Sequence, residues 1–164
     1  MRMVAGSKGK FSNLVLNFSG GMLYFLGSLV SVLDFIILQH ATYHFDFVSV
    51  LGFVLLTAGL VIRLQATRTL GKYFSPTTRV LPDHKLIKDG IYKQIRHPIY
   101  LGSMLAFFSV TLIFHSLYGF IVTALAIPFI LNRIRVEEQM FTQKFGDEYR
   151  EYMKKTKKLI PYVY

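Results

Sequence analysis

At 164 residues, with 52% hydrophobic and only 17% charged side chains, the chain has too little polar surface for a water-soluble domain of its size, where the surface-to-volume ratio is highest. It has no cysteine, which excludes a disulfide framework, a thiolate metal site and a cysteine nucleophile. The net charge of +10 suits a nucleic acid, a membrane surface or an acidic ligand, and its distribution decides among these.

The first apolar run, Leu14 to Leu38, contains one ionisable residue, Asp34, near its end. It is too long for the apolar core of a signal peptide, and no small-residue cleavage site closes it. Val48 to Ala66 is the second run, with Arg63 and Gln65 near its end. Ile99 to Phe114 and Leu117 to Leu131 are shorter and joined at His115–Ser116. None of the runs alternates, so strands are excluded. A helix needs roughly 20 apolar residues to cross the hydrocarbon core. The first two runs qualify, and the last two read as a helical hairpin. Gly52 and Gly59 share a face of the second run, where small residues allow close helix packing; Gly20, Gly21, Gly27 and Ser28 offer the same in the first. Pro128 is expected to kink the fourth.

All 19 Lys and Arg residues fall before Leu14, between Arg63 and Arg96, or from Arg133 onward. The connection Gln39 to Phe47 and the one at His115 hold none. Four spans put the three basic segments on one face, which the positive-inside bias makes cytoplasmic, with both termini. The expected architecture is all-α: one integral membrane helical bundle of about four spans (14–38, 48–66, 99–114 and 117–131). Its cytosolic segments 67–98 and 132–164 would form a cofactor pocket. The membrane accounts for the charge without nucleic acid.

Chemistry is expected in those two segments, because the outer connections are too small. In the first, Gly71 to Arg79 and Asp83 to Tyr92 are punctuated by Pro and Gly as loop. Arg96-His97-Pro98 then stands where the chain starts the third span. Pro98 suits a first helical turn, leaving a helix N-terminus beside Arg96 and His97, an anion-attracting place. Headgroup anchoring by those two residues is the plainer alternative. In the second segment the fourth span is expected to run on as a helix. Arg133 and Glu137 lie four apart and share a face. Met140, Phe141 and Phe145 form an apolar stripe, and Asp147 to Lys158 reads as an amphipathic helix after Gly146. No phosphate-binding glycine loop, metal-spaced His pair or serine elbow is present.

Taken together, Gly71 to Pro76, His84 to Tyr92, Arg96-His97-Pro98-Ile99-Tyr100-Leu101-Gly102, Arg133-Ile134-Arg135-Val136-Glu137-Glu138, Phe145-Gly146-Asp147-Glu148-Tyr149 and Ile160-Pro161 resemble the isoprenylcysteine carboxyl methyltransferase family of integral membrane enzymes. Arg-His-Pro-x-Tyr alone also occurs in phospholipid N-methyltransferases and, with Asn in place of Ile99, in membrane sterol reductases. Its pairing with the downstream elements is more specific. The resemblance implies a helical membrane fold enclosing S-adenosylmethionine. It assigns Leu86, Gly90, Tyr92, His97, Tyr100 and Glu138 to cofactor binding, and Arg133, Glu137 and Arg96 to the methyl acceptor or its carboxylate, with Arg135 as the alternative to Arg133. It also implies a hydrophobic acceptor arriving from the bilayer and no metal. Phospholipid or small-molecule N- or S-methylation is the second reading. Lys158 stands where relatives commonly carry Arg.

Overall fold

The computed structural model describes residues 5–43, 45–74 and 85–160, with side chains of the first helix from Gly20 onward. The motif residues 75–84 and Pro161 lie outside the described residues. Among the described residues six helices follow one another: α1 (Ala5–Ile37), α2 (Phe47–Leu70), α3 (Pro98–Ile113), α4 (Leu117–Ala124), α5 (Ile127–Phe145) and α6 (Asp147–Lys155). Short 3₁₀ turns at Gly71–Tyr73 and Gly90–Lys93 flank the loop between α2 and α3.

The ends are set by local chemistry. Asp46 caps α2 by accepting the Ser49 N–H at 2.9 Å, half of a reciprocal capping box with Ser49. Gly71, at φ 51°, ends α2. Pro98 occupies the first turn of α3, and Ser116 accepts from Gly119 N–H at 3.0 Å to start α4. The fourth apolar run is not one helix. It breaks at Leu125–Ala126, because Pro128 at the start of α5 has no N–H to continue the ladder. Beyond the break α5 runs on to Phe145, as the sequence indicates.

Helices α1, α2 and the α4–α5 run are long and apolar enough to cross a membrane, while α3, at 16 residues, is shorter. Large apolar side chains such as Phe25, Ile36, Phe53 and Val54 stand exposed on α1 and α2, a surface that requires lipid. The bundle is a multi-pass membrane fold built from two tight pairs. In α2–α3, a Cβ on Gly59 would lie 2.6 Å from the Gly102 carbonyl, and one on Gly52 would lie 3.0 Å from Ile113 N. In α1–α4, a Cβ on Gly119 would lie 2.9 Å from the Gly27 carbonyl. Small residues thus bring backbones together where lipid offers no hydrophobic drive. Gly20 packs on Phe129, whereas Gly21 faces open space. Between the pairs packing is looser, and the site lies at one end of that seam.

Candidate active site

The site forms where the start of α3, the polar half of α5 and the C-terminal segment converge. Residues 94–97 run beside 157–158: Lys157 N–H donates to Gln94 O at 2.9 Å, Arg96 N–H to Lys157 O at 2.8 Å and His97 N–H to Lys158 O at 3.1 Å. This short parallel bridge straps the tail across the mouth of α3. The Arg96 guanidinium completes the strap. Its Nε donates to Glu138 Oε1 at 2.9 Å, and one Nη donates to Met153 O at 3.0 Å and Thr156 O at 2.5 Å. The orphan carbonyls that end α6 are thereby capped by a cation, the favourable sign for a helix C-terminus.

Glu137 and Glu138 are adjacent on α5, and each meets a different set. Tyr100 donates to Glu137 Oε1 at 2.6 Å. Arg133 Nε lies 3.7 Å from the same oxygen, and its guanidinium sits over the Tyr100 ring, 5.5 Å from the centroid, a cation–π arrangement. His97, only 5% exposed, bridges the pair, with Nε2 3.4 Å from Glu138 Oε1 and Nδ1 3.8 Å from Glu137 Oε2. Lys158 Nζ stands 3.5 Å from Glu138 Oε2.

His97, Tyr100, Arg133, Glu137 and Glu138 therefore share one cluster. Arg96 joins it from behind, through Glu138, with its donors turned to α6. Leu86, Gly90 and Tyr92 lie on the preceding loop. Leu86 is half-buried, and Gly90 turns the chain at φ 56° against Thr69. Tyr92 is buried, its carbonyl accepting the Tyr152 hydroxyl at 2.7 Å. Arg135 is exposed, whereas Arg133 is half-buried. The α3 N-terminus also differs from its sequence reading. Arg96 and His97 beside it face the protein's own Glu137 and Glu138, brought by a long-range contact that local spacing does not show. Sequence reasoning missed the carbonyls of Met153 and Thr156 and the strapping role of the tail. The signal was the Tyr149–Tyr152 spacing on the otherwise charged α6, whose two rings are buried.

Comparison with known proteins places the chain. The family model for phospholipid methyltransferase matches residues 47–148. A probable protein-S-isoprenylcysteine O-methyltransferase of Oryza sativa subsp. indica is 32% identical over 145 residues, covering 82% of this chain and 76% of the relative. The protein-S-isoprenylcysteine O-methyltransferase of Schizosaccharomyces pombe is 31% identical over 183 aligned positions, covering 96% of this chain and 74% of that one. Methanethiol S-methyltransferase 1 of Bradyrhizobium diazoefficiens is 38% identical over 74 residues, 44% of this chain and 25% of the relative. The solved structure of the eukaryotic intramembrane Ras methyltransferase ICMT (isoprenylcysteine carboxyl methyltransferase) superposes with a TM-score of 0.68 at 23% identity, over 96% of this chain. This chain spans 54% of that one, and the likeness is one of fold.

Proposed function

Since the chain belongs to the isoprenylcysteine carboxyl methyltransferase family, we propose that it transfers a methyl group from S-adenosylmethionine to the carboxylate of a hydrophobic, isoprenylcysteine-like acceptor. One observation carries the acceptor side. Arg133 stands at the polar end of the fourth span, over Tyr100 and beside Glu137, where a lipid-borne carboxylate meets the cytosol.

The donor set fits the cofactor. Its ammonium, sulfonium and ribose hydroxyls call for acceptors and negative charge, and Glu137 and Glu138 supply both. Glu138 is paired with the Arg96 guanidinium at 2.9 Å. Leu86, Gly90, Tyr92, His97, Tyr100 and Glu138 are the residues that would hold it. Bound there, S-adenosylmethionine supplies an electrophilic methyl group, so an ionised carboxylate needs no general base.

The protein's task is then alignment. Arg133 offers a planar fork to the acceptor carboxylate. Tyr100 and Glu137 fix the guanidinium plane from two sides. Arg96 works one step back, pinning Glu138 and the tail so that the carboxylate pair keeps its place. The strap across α3 closes the cytosolic side, leaving the seam between the helix pairs for the acceptor's apolar part. We assign the site and both termini to the cytoplasmic face from the placement of the basic segments; a cytoplasmic signal from a reporter at Thr42 would overturn that orientation.

The test is transfer of labelled methyl from S-adenosylmethionine by purified protein to N-acetyl-S-farnesylcysteine, set against phosphatidylethanolamine and a small thiol. Label in a base-labile ester of the farnesyl compound is the expected result. Label in the headgroup amine or the thiol instead would overturn the carboxyl reading.

A further inference from the structure

The seam between the two helix pairs is aromatic. Tyr24 of α1 stacks on Phe107 of α3, with ring centroids 4.5 Å apart and planes 7° from parallel. Ala126, Ile130 and Ile134 belong to the same buried cluster, and Met104 and Tyr100 pack against it. Tyr24 is 4% exposed, yet its hydroxyl has no hydrogen-bond partner among the described residues. Buried phenols ordinarily find one, because orphaning a hydroxyl costs about 1–3 kcal/mol. A phenylalanine would stack equally well without that cost. The orphan Thr123 hydroxyl has a simpler account: it lies directly beneath Gly27, where close helix packing leaves no room. Among the described residues Tyr24 has no such explanation.

Direction points to the acceptor. Helical side chains lean toward the N-terminus of their own helix, and the site lies at the N-terminal end of α3, so Phe107 leans toward Tyr100. Tyr100 and Phe107 lie seven residues apart on one face of α3. Arg133 covers the Tyr100 ring. A carboxylate held at Arg133 therefore sends the acceptor's apolar part along the seam toward Tyr24. In an isoprenylcysteine the polar atom on that apolar side is the thioether sulfur, while the peptide part leaves toward the cytosol.

We propose that the Tyr24 hydroxyl donates a hydrogen bond to the acceptor's thioether sulfur, making Tyr24 a specificity-determining contact of the site. This rests on the carboxyl-acceptor reading above and deepens it by naming the atom the seam selects. The bond is weak, since sulfur is a poor acceptor. Its value lies in relieving a hydroxyl that is otherwise orphaned in hydrocarbon.

The experiment compares wild type with Tyr24→Phe on N-acetyl-S-farnesylcysteine and on the analogue with a methylene in place of sulfur. Cofactor affinity and melting temperature are measured alongside. For Tyr24→Phe the expected result is a KM raised about three- to tenfold on the thioether compound. Cofactor affinity should be unchanged, and the melting temperature equal or higher. The methylene analogue should show that raised KM with wild type already, and Tyr24→Phe should add nothing. An unchanged KM, an equal rise on both compounds, or a lowered melting temperature overturns the assignment alone. Wild type turning over neither compound while binding cofactor overturns the carboxyl-acceptor reading, and this one with it.

Discussion

Tyr100 donates its hydroxyl to Glu137 at 2.6 Å, tying the start of α3 to the polar half of α5. With His97 between the two glutamates and Arg133 over the Tyr100 ring, this bond fixes Glu137 in the site. Tyr100→Phe keeps the ring under Arg133 and removes only the donor. Methyl transfer is expected to fall at least tenfold, because Glu137 and the guanidinium it orients lose their alignment. Loss of the donor to a half-buried carboxylate should also lower stability by about 1–3 kcal/mol. Parallel rate and melting measurements on Tyr100→Phe check both.

Arg133→Ala is expected to abolish turnover while leaving cofactor affinity within a few-fold. Arg133→Lys should recover little, since a point charge cannot replace a bidentate fork. Calorimetric cofactor binding beside a rate assay separates the two effects. Cofactor affinity lost as badly as turnover would move Arg133 into the cofactor pocket. Full activity in Arg133→Ala would instead favour an amine acceptor.

Glu138→Gln keeps the shape of the side chain and removes the charge that the Arg96 guanidinium and the Lys158 ammonium face. Cofactor affinity and melting temperature should both fall, as calorimetry and thermal unfolding of the variant would show. A Glu138→Gln variant that binds cofactor like wild type would remove Glu138 from the cofactor pocket.

The sequence made some of this legible and hid the rest for physical reasons. Apolar runs with basic flanks mark the spans because lipid tolerates no alternative, and Pro128 marks the break because a missing N–H is a local fact. Gly52 and Gly59 signal close packing, but their partners on α3, Gly102 and Ser109, are set by register between helices. Arg133 and Glu137 are readable as a pair because α5 carries both. The ion pair of Arg96 with Glu138 and its grip on Met153 and Thr156 join residues 42 to 60 positions apart. Local spacing carries no trace of such contacts. Tyr24 in an apolar run looks like any other aromatic, and only its orphaned hydroxyl sets it apart.

The glycines divide by environment. A Cβ on Gly59 meets the Gly102 carbonyl at 2.6 Å and Ala106 N at 2.8 Å, both backbone and unable to yield. Gly59→Ala should force α2 from α3 and cost about 1–3 kcal/mol. Gly21 is also helical but has nothing within 4 Å, so Gly21→Ala should be neutral or gain about 0.5–1 kcal/mol. Unfolding both variants in one detergent tests the contrast, and similar stabilities would refute the paired-helix packing.

Arg96 separates the family expectation from the geometry. The resemblance places it with the acceptor, yet its Nε is on Glu138 and one Nη is on the carbonyls that end α6. Lysine has a single ammonium and cannot span those partners at once. Arg96→Lys should therefore release both the tail and Glu138. Cofactor affinity is expected to fall at least tenfold, about 1.4 kcal/mol, with a lower melting temperature, matching Glu138→Gln rather than Arg133→Ala. The double variant Arg96→Lys with Glu138→Gln should lose little more than either single change, since both remove the same ion pair. If Arg96→Lys keeps its cofactor affinity and melting temperature but loses turnover, Arg96 contacts the acceptor directly and the strap is incidental.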